Sequence, residues 1–167
     1  RGTIVRETTN LIIRTWSEEA WKYVRDRSVT VEVAAGEMLC RDGQPFTHFV
    51  FPHSGILTVQ STIEGMRPVE MMAIGREGFV GMPTLGFGSS CEGDVFGLIS
   101  GSATYVPRLI LREAFHQFVC IRMSMMRYGR FSMQSLMQSV VCAKSHHADQ
   151  IIAFWLLKSM ERLQSQD

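Results

Sequence analysis

The apolar positions of this chain change their period twice. Over residues 10–27 they fall at Leu11, Ile12, Trp16, Ala20, Trp21 and Val24, the spacing of one helix face, with Ser17 ahead of Glu18 and Glu19 as its N-cap. From Val29 to Val106 short runs rich in Val, Ile, Thr and Phe are cut by glycines at 36, 43, 55, 65, 75, 78, 81 and 101. The runs VTVEVA, HFVFP, GILTVQST, RPVEMMAI, DVFGLI and SATYV read as strands. Strands spaced by roughly ten residues with glycine turns predict an antiparallel sandwich or roll, not a parallel βαβ sheet. The turn from Glu64 to Arg67 is expected to close a hairpin.

After Pro107 glycine nearly vanishes and the period returns to helical. LILREAFHQF predicts a short helix, and residues 118–144 a long one, on the order of 40 Å at about 1.5 Å per residue. Along the long helix Val119, Met126, Met133 and Val140 recur every seven residues, with Gly129, Leu136 and Ala143 on the alternate track and Arg122 breaking it. That is an a/d seam, and it predicts a parallel homodimer. The competing reading is a helix lying on its own domain with methionine filling gaps. A second stripe, Ile121, Met125 and Tyr128, is available for the roll, so the helix has two faces to cover. Gly129 in the seam predicts a close approach of two helix backbones. After Lys144–His147 another amphipathic helix, ADQIIAFWLLKSMERLQ, follows.

Composition narrows the function classes. A chain of 167 residues with net charge +1 is the size of one domain with a helical appendage and carries no basic footprint for nucleic acid. Its four cysteines, Cys40, Cys91, Cys120 and Cys142, show no CxxC or zinc-like spacing. They read as free thiols of a cytoplasmic protein. No signal peptide or apolar run of membrane-spanning length is present. Because the chain starts at Arg1, it is expected to be a piece of a longer protein.

Helix, glycine-punctuated roll and long helix, in that order, resemble the sensor half of the cyclic-AMP receptor protein/Fnr (Crp/Fnr) family of bacterial transcription regulators. Four segments carry the resemblance: AGEMLCRDG (Ala35 to Gly43), HFVFPHSG (His48 to Gly55), GREGFVGMP (Gly75 to Pro83) and CAKSHHADQIIAFWLL (Cys142 to Leu157). It implies an α+β fold with an N-terminal helix, an antiparallel, jelly-roll-like β-roll and a long C-terminal dimerisation helix. The expected division is a cyclic-nucleotide-binding-like sensor domain at 1–117, a dimerisation helix at 118–144, and a hinge leading into a DNA-binding domain at 145–167. DNA would be bound only through a domain beyond residue 167. Where the family branch has arginines in its last helix, this chain has Ile151 and Phe154.

The three glycines of GREGFVG offer the backbone N–H groups of a phosphate cradle. In the family's nucleotide-binding members a glutamate follows the cassette glycine and an Arg-Ser or Arg-Thr pair meets the phosphate. Here Met82 follows Gly81, and Asp94 and Val95 align with the second pair. No arginine lies between Arg76 and Arg108, so cyclic AMP and cyclic GMP are not expected ligands. The aligned pocket is Gly81, Met82, Pro83, Thr84, Leu85, Phe87, Ser89, Phe96, Leu136 and Met137. It predicts either an unknown, weakly polar small-molecule effector or a collapsed core without one. His48 and His53 flank a predicted strand end on one face, yet no His-x-His with a following glutamate supports a cupin-type metalloenzyme. His146 and His147 sit at the helix junction. No histidine is singled out as a haem ligand, and no cysteine group suits an iron–sulfur cluster. The sequence therefore predicts no enzyme, no metal, no cofactor and no membrane contact. The leading expectation is an effector-sensing and dimerisation module of a transcription regulator. The other is an interaction module with neither ligand nor DNA function, separated from the first by whether a helix-turn-helix follows in the gene.

Overall fold

The computed structural model describes residues 8–62, 67–85, 90–145 and 147–164. It begins with one turn at Ile13–Thr15 and helix α1 at Glu18–Arg25. The expected helix over 10–27 is thus split at Trp16, where ψ is 152°. Asn10 caps the first turn, its Oδ1 accepting from the N–H groups of Ile12 and Ile13. Ser17 caps α1 as expected, accepting from Ala20 N at 3.2 Å.

Seven strands follow: β1 Val29–Val33, β2 Met38–Cys40, β3 His48–Pro52, β4 Ile56–Ser61, β5 Val69–Ile74, β6 Asp94–Ile99 and β7 Gly101–Pro107. They form two antiparallel sheets, β1-β7-β3 and β2-β6-β4-β5. The three-residue β2 was not among the predicted strands, being too short for a period to register. The hairpin turn expected at Glu64–Arg67 falls largely on 63–66, outside the described residues, but the strands flanking it, β4 and β5, are antiparallel neighbours.

The roll fixes the first cysteine pair. Pairing of β2 with β6, together with bonds from Gly43 N to Cys91 O and from Cys91 N to Gln44 O, brings Cys40 and Cys91 into a disulfide. Their Cα atoms are 6.5 Å apart across 51 residues of sequence. Cys120 and Cys142 are free. The expectation of four free thiols is corrected for the first two, because the contact is made by strand pairing and leaves no local spacing signal.

Three helices end the chain: α2 Arg108–Gln117, α3 Val119–Ser145 and α4 Ala148–Gln164. Helix α3 has the predicted length and lays Ile121, Met125 and Tyr128, all buried, on the roll. There Phe79 stands 4.9 Å from Tyr128 and 5.0 Å from Phe51, ring centre to ring centre. Trp16, also buried, donates its indole N–H to Ser124 Oγ on α3 at 2.8 Å. Such a buried indole needs an acceptor, and Ser124 supplies it. Helix α4 is exposed along most of its described length, including Ile151, Phe154 and Leu157. Its Trp155 reaches back to Glu70 Oε1 on β5 at 3.0 Å. Among the described residues no helix is long and apolar enough to cross a membrane.

Candidate effector site

The segment from Gly75 to Leu85 runs beneath α3, and its glycines are contact points. A side chain at Gly78 would overlap the Tyr128 ring. Gly81 holds φ at +110°, and a Cβ there would press into the rings of Phe46 and Phe49. Several N–H groups of the segment that suggested a cradle are already engaged. Gly78 N donates to Gly75 O at 3.1 Å, Val80 N to Val50 O at 2.8 Å, and Gly75 N to Glu77 Oε1 at 3.2 Å. This loop is a packing element between roll and helix.

The residues expected around an effector are only partly brought together. Met82 lies over α3 with its Cε in the space a Cβ on Gly129 would fill. Within the chain, the space beside Gly129 is thus taken up by Met82. Pro83 is exposed, and Thr84 and Leu85 complete the short turn Met82–Leu85. Phe87 and Ser89 lie outside the described residues. Phe96 is on the opposite face of β6 from the buried Val95, because successive strand residues alternate. Leu136 and Met137 are exposed, and sit about 10 Å along the helix from Gly129. What the roll does enclose near Gly81 is a cavity of about 100 Å³ lined by Phe46, Val50, Val80, Val95 and Tyr105. It has room for no more than a few waters and none for a nucleotide.

The two positions aligned with a phosphate-binding pair serve the fold. Asp94 Oδ1 accepts from Asp42 N at 2.9 Å while Asp42 Oδ1 accepts from Gly93 N, tying the β2–β3 connection to β6. Val95 is buried in the core.

The histidines separate. His48 and His53 are five residues apart, so a strand sends them to opposite faces, contrary to the single face expected. His48 stands beside the Tyr105 ring. His53 is held between Thr104 Oγ1 at 2.6 Å and Thr8 Oγ1 at 3.2 Å, and burial pushes its pKa below the usual value. Among the described residues no three His, Cys, Asp or Glu side chains are grouped to hold a metal. Two residues that periodicity does not single out shape this region. Asn10, fully buried, donates to both Pro52 O and Gly78 O and so ties the N-terminal segment to the loop. Arg76, within the glycine motif, faces a cleft beside α1 instead of the Gly81 turn.

By class, this is the fold of the sensor domains of Crp/Fnr-type transcription regulators and of cyclic-nucleotide-binding proteins. A protein described as a Crp/Fnr-family transcriptional regulator from Eubacterium rectale superposes with a TM-score of 0.75 at 12% identity, over 90% of this chain and 71% of that one. FixK2 from Bradyrhizobium japonicum gives 0.70 at 15% identity, over 81% of this chain and 67% of its own. The sensor domain of the transcriptional regulator DNR from Pseudomonas aeruginosa gives 0.59 at 9% identity, over 72% of this chain and 84% of that domain. At such identities the likeness is one of fold. No protein-family model and no curated protein matches the chain.

Proposed function

We propose that this chain is the sensing and pairing module of a Crp/Fnr-type transcription regulator, acting as a homodimer and contacting DNA through a separate domain. The observation that carries the reading is the division of α3. Ile121, Met125 and Tyr128 are spent on the roll, while Val119, Met126, Met133 and Val140 form a second apolar line that the single chain leaves exposed. Exposed apolar residues repeating every seven along a helix are covered at least cost by a second copy of the same helix. A signal in the roll would then shift how two α3 helices pair and so reorient what they carry.

Light scattering at about 10 µM tests the pairing. The parent chain should run at twice 18.9 kDa, and Met133→Glu at 18.9 kDa, since burying two unpaired carboxylates in the seam costs several kcal/mol. A monomeric parent removes the proposal. The module should also fail to bind cyclic AMP or cyclic GMP in calorimetry. Met82 replaces the ribose-holding glutamate, Asp94 is committed to Asp42, and Arg76 points elsewhere. Loss of a phosphate's charge partner costs roughly 3–5 kcal/mol, on the order of a hundred- to several-thousand-fold in affinity. Micromolar binding of either nucleotide would contradict this part of the reading.

A further inference from the structure

Between α1 and the sheet β1-β7-β3 lies a cleft of about 510 Å³ whose lining differs from that of the roll interior. Arg25 comes from α1, Arg76 from the glycine motif, and Thr8, Thr30, His53 and Thr104 from the N-terminal segment and the sheet. Among the described residues no aspartate or glutamate lines it. The polar side chains are ordered by one another: Thr30 Oγ1 is 2.7 Å from Thr104 Oγ1, which is 2.6 Å from His53 Nε2, whose Nδ1 meets Thr8 Oγ1. Arg76 is anchored at its base, its carbonyl accepting from Leu11 N at 2.8 Å, and its Nε is buried without a hydrogen-bond partner. Arg25 has only a surface contact of 3.5 Å with its neighbour Asp26, both side chains about half exposed, a pairing of little strength.

Two guanidinium groups, Arg76 and Arg25, line one cleft with no carboxylate among its described lining, and such a site favours an anion. A volume of this size suits a small metabolite. We propose that this cleft binds a small organic anion, its carboxylate or phosphate group held by Arg76 and Arg25 and oriented by the threonine hydroxyls. The ligand site of this chain is then on the α1 side of the roll, away from the Gly81 turn. It sits where Asn10 and the GREGFVG loop connect the N-terminal segment to α3. Binding here does not depend on pairing along α3, so the two can fail separately.

The test is calorimetry and tryptophan fluorescence on the 167-residue chain, Trp21 lining the cleft, with inorganic phosphate and with citrate, against chloride at matched ionic strength. Saturable binding of either anion is expected, and which one binds more tightly names the headgroup. Arg76→Gln should weaken it by about tenfold or more, and Arg25→Gln several-fold. Because Arg25 is on the helix surface, its variant keeps the test decisive if Arg76→Gln does not fold. No saturable response to either anion overturns the proposal. So does binding that both arginine variants retain at parental strength.

Discussion

Met125 and Met126 are chemically identical neighbours on α3, yet Met125 is fully buried against the roll and Met126 is 58% exposed. One residue of helix turns a side chain by about 100°, enough to move it from one face to the other. The comparison extends along the helix. Ile121, Met125 and Tyr128 close the roll, whereas Val119, Met133 and Val140 are each at least 60% exposed. Residue type therefore does not assign a methionine to core or seam. Its phase relative to a packed neighbour does, and the exposed methionine and valine at a strict seven-residue interval are the line that the proposed pairing would cover.

The contrast can be broken at its sharpest point. Met125→Ala should cost about 2–5 kcal/mol in urea unfolding, since it leaves a cavity at a fully buried core position. Met126→Ala, measured at a dilution where the chain is monomeric, should stay within about 0.5 kcal/mol of the parent. Equal losses from the two would show that the faces are not distinct. A smaller effect tests which side Gly129 serves. Gly129→Ala gains up to about 1 kcal/mol of helix propensity, offset by a shift of the flexible end of Met82. A net change between zero and about 1 kcal/mol in favour of the folded state is expected. A loss of dimer in that variant would mean that a partner backbone crosses at Gly129 after all.

Much of the architecture was legible because it is written locally. The strands from HFVFP, GILTVQST and DVFGLI, the Ser17 cap and the extent of α3 follow from period and capping chemistry within a few residues. What was not legible depends on contacts distant in sequence. Cys40 and Cys91 meet only through the pairing of β2 with β6. Met82 reaches Gly129 across 47 residues, and Thr8 reaches His53 across 45. The glycines of GREGFVG were visible as turns, but the rings that require them, Tyr128, Phe46 and Phe49, come from other elements. Asn10 carried a usable signal, a side-chain cap residue ahead of a helical period, although the two carbonyls it also bonds could not be foreseen.

Pairing of two α3 helices, parallel and in register, is the claim on which the functional reading turns. It is tested most directly by cross-linking Met133→Cys in a chain whose Cys120 and Cys142 have been changed to serine. In a parallel seam position 133 of one copy faces position 133 of the other, within disulfide reach, whereas Gln134 points away. Mild oxidation should convert the Met133→Cys chain almost wholly to a covalent dimer and leave Gln134→Cys largely uncoupled. Equal yields from the two positions, or no cross-link at Met133→Cys, would contradict the account.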